Sequence, residues 1–240
     1  MNDKKENFKL NWPQLTPGTL VKRYKRFLVD VKLENDEIVT AHCPNSGRMT
    51  ECCMAGQPVY LSKHDNPKRK YPCTWELIRM PASLVGVNTN VPNTLVFESI
   101  KNNNIPGLQN YTDHFREVST GDHSRIDILL EKKGRQPCYV EVKNCTLVKN
   151  RIASFPDAVT QRGLKHLKEL QILKTAGNRC VMFFLVQRMD ADSFTPAYAI
   201  DPAYARELKR AESNGVEILV YDVTLNLKTI NINKKLPYHL

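Results

Sequence analysis

A change of texture near residue 90 does most to limit what this chain can fold into. Before it, short apolar and β-branched runs at residues 20–33, 37–42, 58–62, 74–80 and 84–87 are cut apart by proline, glycine and asparagine. Strand-like segments at this spacing, with no helical period among them, predict a small closed or partly open β-barrel. After residue 90 the pattern alternates. A helix over residues 93–103 carries Leu95, Phe97 and Ile100, with Glu98 on a separate azimuth, and strands follow at 115–119, 124–131 and 138–144. A second helix starts at Pro156 and Asp157, runs on the stripe Val159, Gly163, Leu167 and Leu170, and stops at Gly177. A strand over 179–187, a helix opened by Asp201 and Pro202 and stopped at Asn214 and Gly215, and a strand over 216–221 complete the order αβββαβαβ. That order predicts a mixed sheet flanked by helices. The expected organisation is α/β plus a small β-barrel, with the barrel in residues 1–88 and the α/β domain in residues 89–240.

Composition removes several classes. At 240 residues, 41% apolar and 25% charged, the chain is long and apolar enough for one large domain or two modest ones, which excludes a disordered or collagen-like chain. The longest apolar run, residues 181–186, is far short of the roughly 20 residues of a membrane span, and the opening MNDKKENFKL has no signal-peptide core. A cytoplasmic protein that enters no membrane is expected. Its seven cysteines form an odd set without a CxxC pair or a zinc-like spacing, and they read as reduced thiols, mostly buried. Lys and Arg exceed Asp and Glu by ten, most densely in residues 1–90, where 14 basic residues face 9 acidic ones. Such an excess attracts phosphate polyanions, and it also serves solubility.

The stretch 124–144 carries the chemistry. Two strand-like runs flank Gly134, and a hairpin in register about that glycine sets Asp127 opposite Glu141. Opposed residues share a face with Cβ atoms about 4.5–5.5 Å apart, and the period of two adds Lys143 to that face while Ile126, Ile128, Val140 and Val142 turn away. Two carboxylates this close repel unless a positive group lies between them. A hard divalent cation with oxygen ligands suits the space, with the Val142 carbonyl as a further ligand, and Lys143 then stabilises charge on a phosphoryl group. The same three residues also fit a cross-strand ion-pair cluster on an exposed hairpin, and the residues alone leave both readings open.

Two resemblances follow from these residues. Asp127, thirteen intervening residues and then Glu141-x-Lys143, set in an αβββαβ order, resemble the PD-(D/E)xK nuclease fold, with Ile126 where the name has proline. The resemblance implies that Glu98 is the first-helix acid, that Asp127 and Glu141 are metal ligands, and that Lys143 is catalytic. The strings RYKRFL at 23–28, HCPNSG at 42–47, KRKYP at 68–72, TWEL at 74–77, SRID at 124–127, YVEVK at 139–143, FPDAVT at 155–160 and RGLKHL at 162–167 resemble, in this order, the bacterial sugar fermentation stimulation protein family. That likeness spans nearly the whole chain. It implies an N-terminal OB-like barrel, a C-terminal nuclease-like domain and DNA binding linked to sugar metabolism.

Several cations are candidate nucleic-acid contacts. KRYKRF at 22–27 interleaves charge with aromatic rings, as a phosphate-holding and base-stacking surface does. On an uninterrupted strand Arg23 and Lys25 share one face with Phe27, and Lys22, Tyr24 and Arg26 share the other; a plain solvated strand with Phe27 in the core is the alternative. Arg69 and Lys70 follow the same logic in a loop, and Arg125 stands next to the site. In the second helix Arg162, His166 and Glu169 form a polar stripe off the apolar face, placing Arg162 and His166 beside the hairpin if the helix packs there. Asn45, Ser46, Gly47 and Arg48 read as a tight turn with Gly47 at positive φ, a plain turn before one whose amides cup a phosphate, and His42 as a structural histidine.

Together these features favour a nuclease that uses Mg2+ or Mn2+ and acts on nucleic acid, DNA before RNA. The alternative is a non-catalytic DNA-binding transcriptional regulator of sugar (maltose) metabolism. An intact acid, acid and lysine set favours cleavage, because carboxylates beside phosphates bring a pure binder nothing, and no helix-turn-helix pattern supports an operator-reading protein.

Overall fold

A computed structural model of the chain describes residues 7–121 and 125–240. Ser124, which opens the SRID string and the expected strand 124–131, lies outside them. The barrel consists of β2 (Leu15–Tyr24), β3 (Leu28–Leu33), β4 (Ile38–His42), β5 (Pro58–Lys63) and β6 (Cys73–Arg79), preceded by a short β1 (Leu10–Asn11). They pair in the order β4-β3-β2-β5-β6, and a parallel contact from His42 to Thr74 returns β4 to β6 and closes the barrel. Period-two alternation sends Val29, Val31, Val59 and Leu61 inward, and Trp75 and Ile78 of β6 join them across a bulge in the β5–β6 pairing. The fully buried Trp75 satisfies its indole N–H on the Leu77 carbonyl at 2.9 Å. A short β7 (Leu84–Gly86) leads out to α1 (Val91–Lys101).

Two expectations for this half fail. β2 ends at Tyr24, and Lys25, Arg26 and Phe27 form the hairpin loop into β3, with Lys25 at φ +49° and Arg26 at φ +63°. The proposed sharing of strand faces by Arg23, Lys25 and Phe27 is therefore wrong, and Phe27 is 48% exposed instead of buried in the core. Positive φ normally calls for glycine or asparagine, so Lys and Arg at these places hid the turn. In addition β1, within residues 1–88, pairs antiparallel with the last strand of the chain and so belongs to the second sheet.

That sheet is built from β8 (Asp113–Ser119), β9 (Arg125–Lys132), β10 (Arg135–Cys145), β13 (Arg179–Val186), β15 (Glu217–Leu225) and β16 (Thr229–Lys235), in the order β1-β16-β15-β13-β10-β9-β8. Between them β11 (Leu147–Lys149), β12 (Ile152–Phe155) and β14 (Ser193–Pro196) make a small sheet, and α2 (Gln161–Thr175) and α3 (Pro202–Ser213) intervene. The β10–β13 and β13–β15 pairs are parallel and the other pairs of the main sheet antiparallel. The fold is thus an OB-type barrel followed by a mixed sheet flanked by helices.

The apolar run 181–186 is the middle of β13, buried on both faces as a parallel central strand must be. Val181, Phe183 and Leu185 pack toward α1 through Leu95, Val96 and Ile100. Met182, Phe184 and Val186 pack toward Leu167 and Leu170 of α2 and Tyr204 and Leu208 of α3. Helix α3 opens as expected, with Asp201 accepting from the Tyr204 N–H. Helix α2 does not start at Asp157. Thr160 is its N-cap and accepts from the Gly163 N–H at 3.0 Å, leaving Val159 62% exposed. Asp157 is drawn away because its carboxylate accepts from the Met49 N–H of the barrel.

Candidate active site

β9 and β10 turn at Gly134, at φ +76°, and pair Arg135 with Lys132; a bulge between Arg135 and Cys138 then shifts the register by one residue, so that Cys138 pairs with Leu130, Tyr139 with Leu129 and Val140 with Ile128. This register carries on to Glu141 and Asp127, as the sequence predicts, but the backbone ladder stops at Val140 and Ile128. Side chains take over from there: the Val142 N–H donates to Asp127 Oδ2 at 2.8 Å, and the Asp127 N–H to Glu141 Oε2 at 3.4 Å. Ile128, Val140 and Val142 turn toward α1 as expected. Ile126 instead joins the cluster on the other side, because β9 leaves β10 at this point.

Helix α2 lies over the carboxylates, so the cluster is no exposed surface hairpin. Glu141 is 1% exposed. Its Oε1 is in close contact with both the Lys143 ammonium and His166 Nδ1, and the Lys143 Nζ lies 3.3 Å from that same nitrogen. The Arg162 Nε–H donates to His166 Nε2 at 3.4 Å. An acceptor at Nε2 leaves the proton of a neutral imidazole on Nδ1, where it faces the Glu141 carboxylate. His166 was expected on a polar stripe off the apolar face, and it is buried there as the partner of Glu141.

The two carboxyl groups differ. Burial, and then the charge of Glu141, push the Asp127 carboxyl up to about 6. Burial pushes Glu141 in the same direction, but the Lys143 ammonium and the His166 hydrogen bond outweigh it and hold Glu141 below its ordinary value. The opposed acids of the sequence reading are therefore one compensated carboxylate and one under-compensated one.

Glu98 does not join them. It pairs with Lys101 at 3.6 Å and is absent from the lining of the cleft, whereas Asn93 donates from Nδ2 to Asp127 Oδ1 at 2.8 Å. The first helix meets the site through an amide one turn and a half earlier. Five residues rotate a helix position by about 140°, so Glu98 and Asn93 cannot serve the same face. No charge pattern marks Asn93 in the sequence.

The carboxylates form the floor of a cleft of about 790 Å3 between barrel and sheet. One wall is the barrel loop with Asn45, Ser46, Gly47 and Arg48, together with Arg23 and Arg26; the other is the segment from Phe155 to Arg162. Arg23 is occupied in holding that loop, donating to the carbonyls of Asn45 at 2.7 Å, Gly47 at 2.9 Å and Arg48 at 3.3 Å. Gly47 does not take the positive φ expected of it; Met49 does, at φ +56°. Gly47 is needed for a close approach, since a Cβ there would lie 2.3 Å from Asp157 Oδ2. Arg48 lines the cleft as part of the turn weighed as a phosphate holder, whereas Asp157, read as a helix start, is a cleft residue that sequence reasoning missed, and the long-range Asp157–Met49 bond that brings the two walls together has no local signature.

Not every predicted cation reaches this place. Arg26, Arg162 and His166 line the cleft. Lys25 stands in the exposed hairpin loop next to Arg26. Arg69 donates to Thr74 Oγ1 at 3.2 Å and Lys70 lies over the Tyr71 ring, both away from the cleft lining. Arg125 is exposed at the start of β9 opposite Ser119.

The donor set can be tested against a divalent cation. Among the described residues no group of three or more His, Cys, Asp and Glu side chains is arranged as a metal cage. Asp127 and Glu141 supply oxygen only; Asp127 Oδ1, Asp127 Oδ2 and Glu141 Oε2 each accept from one protein donor and keep a lone pair, whereas Glu141 Oε1 is taken up by Lys143 and His166, and the cleft leaves room for water. A small hard cation that keeps several waters and takes one or two carboxylates fits such a set.

Comparison with known proteins places this geometry. Residues 90–229 match the family model described as the sugar fermentation stimulation protein RE domain, and residues 21–87 match the model of the SfsA N-terminal OB domain. The sugar fermentation stimulation protein homolog of Acidithiobacillus ferrooxidans is 51% identical over 229 residues, covering 95% of this chain and 99% of its own. That of Geotalea daltonii is 49% identical over 225 residues, covering 94% and 97%. The solved structure of Pyrococcus furiosus SfsA in complex with Ca2+ is 25% identical, with a TM-score of 0.87 over 96% of this chain and 98% of that one.

Proposed function

The chain belongs to the sugar fermentation stimulation protein family, and from that premise and the cleft geometry we propose that it is a divalent-metal-dependent phosphodiesterase acting on nucleic acid, DNA before RNA. The observation that carries this reading is the under-compensated Asp127, its carboxyl pushed up to about 6, beside Glu141 on the floor of a cleft whose walls bear Arg26, Arg48 and Arg162. Carboxylates on the floor and guanidiniums on the walls suit a phosphodiester held at its flanking phosphates, with a cation at its centre. Seven free thiols suit a reducing compartment, so the proposed place of action is the cytoplasm.

Asp127 and Glu141 would hold the cation, Mg2+ or Mn2+; the Pyrococcus furiosus relative was solved in complex with Ca2+, which supports a divalent cation in this fold. When bound, the cation supplies polarisation of a phosphoryl oxygen and activation of a water. The remaining work falls to the chain. Asn93 and the Val142 amide fix both oxygens of Asp127. His166 orients Glu141, and Arg162 sets the tautomer of His166. Lys143 lies where it stabilises negative charge gathering on the phosphoryl oxygens, and Arg26, Arg48 and Arg162 hold neighbouring phosphates. Titration calorimetry with Mn2+, together with a cleavage assay on labelled DNA and RNA, tests the reading. Absence of both binding at millimolar Mn2+ and cleavage would leave the DNA-binding regulator as the function.

A further inference from the structure

The carboxylate floor is reached through a cleft that the barrel closes at one end. The two walls meet where Asp157 Oδ2 accepts from the Met49 N–H at 3.0 Å and where Gly47 has no Cβ to hold the Asp157 carboxylate off. The barrel wall is pinned from several sides. Arg23 donates to three of its carbonyls, Asn45 Oδ1 accepts from the Gly47 N–H at 2.9 Å, and Asn45 Nδ2 donates to the Val87 carbonyl at 3.2 Å. A wall held by this many bonds does not swing aside at little cost. A phosphodiester must therefore come down to Glu141, 1% exposed, between fixed walls enclosing about 790 Å3. A duplex carries its second strand and stacked bases with it, so bringing its phosphodiester down to a buried carboxylate between pinned walls asks for more room than an unpaired strand needs.

The hairpin loop that reaches the cleft through Arg26 offers what an unpaired strand requires. Arg26 lines the cleft, and the next residue, Phe27, presents a ring that is 48% exposed in a loop whose carbonyl is tied to the Cys43 N–H at 2.8 Å. Lys25 completes the loop with a further exposed cation. Guanidiniums for phosphates and a free aromatic face for a base form the recognition pattern of single-strand binding, in which stacking makes a large contribution and every base has a face to stack.

We propose that the nucleic acid this cleft takes is an unpaired strand, with one base stacked on Phe27 and its phosphates led past Arg26 to Asp127 and Glu141. The proposal rests on the nuclease reading for its end point but not for its binding step, and the experiment separates the two. Equilibrium binding of labelled 30-mers is measured with the full chain in Ca2+ at 150 mM salt, for a single strand, the matching blunt duplex and a duplex with an unpaired flap, with cleavage followed in Mn2+ alongside. The single strand and the flap are expected to bind at least about ten-fold more tightly than the blunt duplex. Phe27→Ala should weaken single-strand binding by about five-fold to a hundred-fold with little effect on the duplex, and Phe27→Trp should restore it. Equal affinity for the single strand and the blunt duplex, or Phe27→Ala binding the single strand like wild type, overturns the proposal. Preference for the single strand without any cleavage would sink the nuclease reading and leave this one standing.

Discussion

The charged cluster around Asp127 and the one around Arg188 both lie at the junction of barrel and sheet, and both have been taken out of water. Arg188 meets Asp190 through two bonds of 2.6 Å, and its two Nη1 N–H groups reach the carbonyls of Thr146 at 2.9 Å and Glu51 at 3.3 Å. Charge and donors are both answered there, and Arg188 lies outside the cleft lining. At Asp127 two neutral donors face a carboxylate whose nearest charge is another carboxylate, and the pair borders a cleft. A closed pair of opposite charges holds a structure together, whereas an acid left short of positive charge next to open space is a place where a cation or a substrate completes the account.

That contrast is broken most decisively by removing its acids. Asp127→Ala and Glu141→Ala should each lower metal-dependent cleavage by about a thousand-fold or more while leaving the circular dichroism spectrum and melting curve of a folded protein, since several kcal/mol of transition-state stabilisation pass through them. At the other cluster the effect should appear in stability. Arg188→Ala leaves Asp190 buried without its partner and should lower the unfolding free energy in urea by about 3–5 kcal/mol, with metal binding by the surviving folded protein unchanged.

Electrostatic compensation at the cleft can be read from binding alone. In EDTA, Asp127→Asn should tighten nucleic-acid binding several-fold by removing one opposing charge, and Ca2+ should tighten wild type in the same direction; identical affinities in all four combinations would mean that phosphates never come near the carboxylates. A finer measure is the salt dependence. Arg26→Ala should flatten the slope of log affinity against log salt by about 0.7 on a single strand, and Arg69→Ala, away from the cleft lining, should change it less.

The smallest effect belongs to a third pair, at the far end of the sheet and outside both clusters. Arg179 binds Glu217 through two bonds of 2.7 Å, and this bond and charge hold the Glu217 carboxyl below its ordinary value. A depressed carboxylate adds stability above its unfolded pKa and loses it as pH falls through the folded one. Glu217→Gln should therefore cost under about 1 kcal/mol at pH 7, the pair being partly exposed, and the gap from wild type in urea titrations should close below about pH 4.

Much of this site is written locally. The spacing from Asp127 to Glu141 about Gly134 marks them as opposed, but the turn alone pairs Arg135 with Lys132 and would set Asp127 against Val140; the bulge between Arg135 and Cys138 supplies the one-residue shift, and Lys143 then follows from the pleat. The burial of residues 181–186 and the capping of α3 at Asp201 are equally local. Other parts have no local source. Glu98 carries the charge that the fold resemblance asks for, yet the azimuth of α1 against β9 presents Asn93. Lys25 and Arg26 sit at positive φ without glycine, so strand alternation gave wrong faces for Arg23 and Phe27.

By itself the sequence determined the two architectures, the carboxylate pair with its lysine, the basic excess and the family, because each depends on periodicity, on spacing within one hairpin or on an ordered set of short strings. Tertiary structure alone decided what surrounds that pair. His166 faces Glu141 because α2 crosses β10, and Asp157 leaves the start of its own helix to bind the Met49 amide more than a hundred residues away. Gly47 is small because of that carboxylate and not because of its own backbone angle. Contacts between segments far apart in the chain depend on how two domains pack, and packing is settled by shape and by the satisfaction of buried polar groups, neither of which has a period that a sequence can display.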